Sequence, residues 1–527
     1  MMADTLALLD DADLRRWRAC ARRFWLHRQA AAEEAAPAPA DPTDADVVHG
    51  PALDAALRAS FPAGVAVPAP RTEADWNLAI ARTHAALAEA TPQTEGWALL
   101  GACLASNDGA CARVDLVTRG SHGWRLFKLR YATVGTEADV DAVALWAHVA
   151  ARSGLRVQSV GLLLVDTGFI YPGHGCYAGL LREVDLGPTL GSRPVGHWLT
   201  AMQACARAPE PAVPLGAPCT QPGPCEQLAH CALPEAPARP GDARARLEIV
   251  GRELAAQLRA AGHVDLHSVP LDALPDARLR RATRAVQQNA PVLEPAAAPL
   301  LRALPYPRRF LRFETIGFAV PVWAGTRPYQ VLPFQWSCDT VAAPGQPPEH
   351  HGFLADATGD PRRAFAQSLL LALGNDNGPV QAYNAGFERN RLRELAAQFE
   401  DLGPALLALA ERIVDLFQIA RAHYYHPAMA GSWSAKSVFA AIAPDLGAEH
   451  FECEGLHTPL EAFARALQPG LQADKLQQLR AALLAHGQRQ TAALRHMVAL
   501  FEQRGEEEAS TCPSGPAFRP CSPDQPG

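Results

Sequence analysis

The chain has 527 residues, 48% of them apolar, and a formal net charge of −7. That length calls for two or three domains. Its negative charge argues against a broadly cationic coat that would bind nucleic acid without specificity, and leaves room only for a local basic groove. No apolar run approaches the ~20 residues that a membrane helix needs. The opening MMADTLALLDDADLRR lacks the basic-then-apolar layout of a signal peptide. The expectation is a cytoplasmic protein without a membrane partner, whose twelve cysteines are reduced thiols or, where they cluster, metal ligands.

Taken in chain order, Leu14, Trp17, Ala21, Phe24 and Trp25 recur at helical spacing and predict one amphipathic helix over 11–28. An Ala, Pro and Glu-rich loop follows at 30–45. Residues 110–171 alternate short apolar strands with one helix near 138–152, an α/β pattern. Pro and Gly crowd 207–242, helical segments fill 243–290, and a second Pro/Ala linker runs to about 300. A new α/β region opens with a strand at 309–316. The tail after Arg504, acidic and then rich in Ser, Pro and Gly, reads as disordered. The resulting division is 1–240, a helical connector 241–300, a second domain 301–503 and a tail 504–527.

Cys219, Cys225 and Cys231 are evenly spaced in PCTQPGPCEQLAHCAL, and Cys20 stands far upstream in RACARRFWL. Three such cysteines amid Pro and Gly point to metal ligation over ordinary buried thiols. Thiolates suit an iron–sulfur cluster and also suit zinc, and spacing does not separate the two.

From Tyr306 the chain reads YPRRFLRFETIGFAVPVWAGTRPYQVLPFQWS, then QAYNAGFERNRLREL, IVDL, YYHPAMAGSWSAKSVFAA and a final long helix. This succession resembles an uncharacterised bacterial family of unknown function whose C-terminal half is similar to DEDD exonucleases of RNase H-like fold. The resemblance covers nearly all of 305–503. DEDD chemistry needs four carboxylates converging on two divalent ions. Their first pair is Asp-x-Glu on one strand, where alternate residues share a face. Here that stretch reads Arg312-Phe313-Glu314, so an arginine replaces the aspartate. The second motif reads Asn384-Ala385-Gly386-Phe387-Glu388. The last, Tyr-x-x-x-Asp, aligns with His486 to Gln490 and offers an amide for the acid. Arg312 is expected to take the place of the missing ion and to pair with Glu314 and with Glu388. Asp415 in IVDL is either an adventitious ligand or an ordinary acid at an element end. Ser434 and Lys436 in GSWSAKS are candidates to hold a phosphate at a helix start, with capping by Ser434 as the plainer reading.

The layout of one cysteine followed by three resembles that of iron–sulfur nucleases related to the CRISPR-associated exonucleases. That likeness implies a four-iron cluster stapling a PD-(D/E)XK domain, with zinc as the alternative. Such a domain needs an aspartate, then Glu-x-Lys on the next strand. ARVDLVTRGSHGWRLFKLRYAT supplies Asp115, but its second position reads Lys128-Leu129-Arg130, and Trp146 stands where the family has a glutamine. In both modules a metal-binding acid has become a cation, so magnesium or manganese is not expected to bind. The expected function is a non-catalytic member of a two-module nuclease family that binds nucleic acid. An active nuclease with an altered site and a protein-interaction scaffold are the alternatives.

Overall fold

The computed structural model describes residues 8–33, 56–58, 60–61, 63–90, 97–219, 225–231, 243–356, 358–374, 376–448, 450–453, 455–468 and 470–511. The fold is mixed α/β, with a six-stranded sheet, a five-stranded sheet and a two-stranded ribbon. The residues group into two units, 1–236 with 317–330, and 237–316 with 331–527. No helix among the described residues is long and apolar enough to cross a membrane.

The first unit opens with α1 (Asp11–Ala19) and α2 (Ala21–Glu33). The single helix expected over 11–28 is therefore broken at Cys20, which is extended (φ −165°) and places its thiol at the junction. The other principal elements are β1 (Val65–Ala66), α3 (Glu73–Glu89), β2 (Ala98–Ala105), β3 (Cys111–Arg119), β4 (Trp124–Arg130), α4 (Glu137–Arg152), β5 (Val157–Val165), β6 (Leu181–Asp185) and α5 (Val195–Arg207). Strands run β1-β2-β3-β4-β5-β6 across the sheet. The β2-β3-β4 meander is antiparallel, and α4 carries the chain over to β5, which lies parallel to β4. α4 starts with a capping box between Thr136 and Asp139 and buries Val143, Trp146 and Val149 in the main core of this unit.

Residues 317–330, expected within the second domain, belong to the first unit. Ala319 and Val320 are buried with Val165 and Leu180. Tyr171 exchanges backbone hydrogen bonds with this segment, its N–H donating to Thr326 and its carbonyl accepting from Gly325.

The second unit contains α6 (Arg252–Ala260), α7 (Ala277–Gln288), β7 (Val292–Leu293), α8 (Ala297–Arg302), β8 (Arg308–Ile316), β9 (Leu332–Val341), β10 (Glu349–Leu354), α9 (Arg362–Leu373), β11 (Val380–Ala382), α10 (Gly386–Gln398), α11 (Gly403–Glu411), β12 (Ile413–Asp415), α12 (Leu416–His423), β13 (Tyr424–Tyr425), α13 (Ala435–Ile442), α14 (Pro459–Ala466) and α15 (Ala473–Thr511). The sheet order is β10-β9-β8-β11-β12. β8, β9 and β10 form an antiparallel meander, and β11 and β12 run parallel to β8. The connector expected at 241–300 is part of this unit, because Leu279, Ala282 and Val286 on α7 share one core with Phe310, Tyr424, Leu494 and Met497. α15 continues past Arg504 to Thr511, so the tail expected from 504 is helical at its start; residues 512–527 lie outside those described.

Gly487 governs how α15 meets the sheet. A Cβ there would lie 2.1 Å from Ser337 Oγ and 2.7 Å from Gln335 Nε2. Glycine allows this approach, and Gln335 Nε2 then donates to the Leu483 carbonyl at 2.8 Å. That contact sets the position of His486 and Gln490.

Candidate functional site

Strand alternation puts Arg312 and Glu314 on one side of β8. Phe313, between them, enters the opposite core against Phe365. Glu388 stands in the first turn of α10, after a turn in which Asn384 adopts φ +64°. Its side chain is fully buried, and neither carboxylate oxygen has a hydrogen-bond partner. Arg312 Nη1 lies 3.9 Å from Glu388 Oε1. Burial pushes Glu388 up to about 7 against the pull of Arg312, and the charges of Asp415 and Glu314 raise it further. Glu314 is also raised, by burial first, with Arg312 opposing. Its Oε1 is 3.9 Å from His486 Nε2. Burial, with Arg489 and Arg312 in support, lowers His486 to about 4 and keeps the ring neutral at pH 7.

The expected pairing is thus redistributed. Arg312 forms its ion pair with Glu388, and Glu314 faces His486. Gln490 is inward and buried as expected, but its Nε2 donates to the Ala448 carbonyl and lies 3.3 Å from His486 Nε2, while its Oε1 is unpartnered. Asp415 caps α12. Its Oδ1 accepts from the N–H groups of Phe417 and Asn384, each at 3.0 Å. Ser434 likewise caps α13 through Ser437 N–H at 3.2 Å. Lys436 is exposed.

A cavity of about 910 Å³ opens beside Arg312 and Glu314. Tyr383, Phe387, Phe417 and Trp433 supply aromatic wall, and Ser434 and Glu248 also line it. Arg278 lies over Trp433 at 5.8 Å and Arg421 over Phe417 at 5.9 Å, both within cation–π reach. Sequence reading named neither arginine, because Arg278 comes from the connector helix and only the fold brings it here. Lys436 is not among the lining residues.

In the first unit Asp115 Oδ2 accepts from Leu129 N–H at 2.8 Å. Burial raises Asp115, and Lys128 opposes that shift. Lys128 is held elsewhere, 3.5 Å from Asp11 Oδ2 and 4.7 Å above the Trp146 ring. Trp146 Nε1 donates to the same Asp11 at 3.2 Å. Asp11 is a carboxylate that sequence reading passed over, since nothing marks an acid at the start of a helix as part of a distant hairpin. Arg130 Nε lies 3.2 Å from Asp139 Oδ1.

Cys20, Cys219, Cys225 and Cys231 are all partly buried free thiols. Cys231 is raised by burial first. Arg22 opposes, and Cys225, Cys20 and Cys219 lie near enough for their charges to add to the rise. Cys225 N–H donates to the Cys219 carbonyl at 2.9 Å. Among the described residues, no group of three or more His, Cys, Asp or Glu is drawn close enough to hold a metal ion.

The two metal readings meet these residues differently. For a magnesium pair the donors do not fit. Arg312 puts a guanidinium against Glu388, and Gln490 offers one neutral oxygen. Thiols are the donor type that a four-iron cluster or a zinc ion takes, which leaves the two unseparated.

Residues 309–434 match the model of a family described as Domain of unknown function (DUF2779). No curated protein matches the chain, and no solved structure does.

Proposed function

We propose that the chain is a non-catalytic member of a two-module nuclease family and binds nucleic acid. The observation that carries this reading is Arg312, a cation on the strand position of a metal-binding acid, set against buried Glu388 beside a cavity with aromatic walls and two further arginines. Bases stack on aromatic faces and arginines neutralise phosphates without cleaving them. Strand order supports the ancestry. The second unit's meander, with two parallel strands added beside its first strand, agrees with the strand order expected of an RNase H-like domain. The first unit's succession α3-β2-β3-β4-α4-β5 agrees with a PD-(D/E)XK core.

Cys20, Cys219, Cys225 and Cys231 are in this reading the ligands of a four-iron cluster. It would tie the α1–α2 junction to residues 219–231 of the same unit. The direct test is fluorescence anisotropy of labelled single-stranded DNA and RNA at several salt concentrations. Trp433→Ala and Arg278→Ala should each weaken binding, with Arg278→Ala also reducing the salt slope. Binding that is unaffected by both would refute this use of the cavity.

One observation favours a second reading. Glu314 and Asp415 lie close enough to Glu388 for their charges to raise it, and an active nuclease with an altered site requires such a convergence of acids. Manganese-dependent cleavage lost on Glu314→Ala would establish it.

A further inference from the structure

A second cavity, of about 290 Å³, lies in the first unit and is lined by Arg58, Arg113, Arg130, Asp115 and Tyr131, with apolar residues between them. Arg113 and Asp115 share a face of β3. On the neighbouring strand Gly101 adopts φ +71°, and a Cβ there would lie 2.7 Å from Arg113 Nη2 and 3.1 Å from the Val67 carbonyl oxygen. The missing side chain is what leaves room for the Arg113 guanidinium beside the backbone.

The charges in this cavity do not balance. Asp115 is the one acid in its lining, and it already accepts a hydrogen bond from Leu129 N–H. Among the described residues, neither Arg58 nor Arg113 forms an ion pair. Arg130 Nε is held 3.2 Å from Asp139 Oδ1, whereas Arg113 Nε is buried without a hydrogen bond. A buried guanidinium donor without an acceptor is unfavourable unless something supplies the oxygen. Three guanidinium groups offer more donors than the two oxygens of a carboxylate can take. A phosphate group carries up to about two negative charges and at least three acceptor oxygens, and so matches both the donor excess and the charge excess.

We propose that this cavity binds a phosphate group through Arg58, Arg113 and Arg130. The proposal concerns a different unit from the aromatic cavity and does not depend on what that cavity takes. Two sources share this chemistry, a free phosphate or small phosphomonoester and the terminal phosphate of an oligonucleotide.

The test is calorimetric titration of the full-length chain with inorganic phosphate, then with one oligonucleotide bearing or lacking a terminal phosphate. One phosphate per chain is expected, and Arg113→Met should weaken it roughly tenfold or more. Arg58 is exposed, so Arg58→Glu serves as the variant least apt to disturb folding, and it should abolish binding. If the terminally phosphorylated oligonucleotide outcompetes inorganic phosphate and Arg58→Glu removes that advantage, the ligand is a nucleic-acid end. If inorganic phosphate binds and the terminal phosphate adds nothing, the ligand is a small phosphate. Trp433→Ala should leave phosphate binding intact, which keeps this result separate from the nucleic-acid reading of the other cavity. Absence of phosphate binding, or binding unchanged in both arginine variants, would overturn the proposal.

Discussion

Arg312 and Glu388 form an ion pair across 3.9 Å in which the acid is fully buried and the base is not. The asymmetry matters because neither carboxylate oxygen accepts a hydrogen bond, so a guanidinium at the edge of contact is the main support for the ionised form.

Stability should therefore depend on pH through Glu388. Its folded value of about 7 lies above the usual 4.5, so the folded chain holds a proton that the unfolded chain releases between those values. The contribution is fully present below about pH 4.5 and lost as pH rises through about 7, amounting to about 3 kcal/mol. Glu388→Gln should melt close to the parent at pH 5 and above it at pH 8. His486, lowered to about 4, works in the opposite direction, losing stability as pH falls from 6.5 towards 4. The comparison between variant and parent isolates the glutamate. A melting difference that does not change with pH would refute the assignment.

The carboxylate site should take no divalent ion tightly. Removing ionised ligands removes the clamp on both the attacking and the leaving oxygen. Arg312→Asp with Gln490→Asp should recover manganese binding, read by electron paramagnetic resonance, together with weak cleavage. The unaltered chain is expected to show neither, and robust magnesium-dependent cleavage by it would contradict the pseudoenzyme reading.

Protein purified without oxygen should be brown and carry about four irons per chain. Cys225→Ser should lower the melting of the first unit and leave the second unchanged. Stoichiometric zinc without visible absorption would replace iron in the account, and the absence of either metal would remove the site.

Gly487→Ala should destabilise the second unit by about 1–3 kcal/mol, because α15 has to back away from Ser337. A melting temperature equal to that of the parent would mean that the helix yields without cost.

The sequence made some of this legible and hid the rest for physical reasons. Alternation along β8 placed Arg312 and Glu314 on one side, and helical spacing turned Gln490 inward, because both follow from local periodicity. Partner choice did not follow. Whether Arg312 reaches Glu314 or Glu388 depends on where α10 sits, and the capping of α12 by Asp415 depends on the turn at Asn384. Arg113 was invisible for another reason. Its place is made by a glycine on the neighbouring strand, and no pattern within β3 records that. The break at Cys20 interrupts an apolar stripe that continues through it, so periodicity alone read one helix where there are two.

Residues 317–330 carry a consequence for how the chain is made. They complete the buried cluster around Val165 and Leu180 and satisfy the backbone of Tyr171, yet they follow residues 237–316, which belong to the other unit. During synthesis the first unit stays incomplete until residue 330 has left the ribosome, long after its own sheet has emerged. Expression of residues 1–236 alone would leave those apolar side chains open to water, and a soluble version of this unit needs the segment restored, by fusion or as an added peptide.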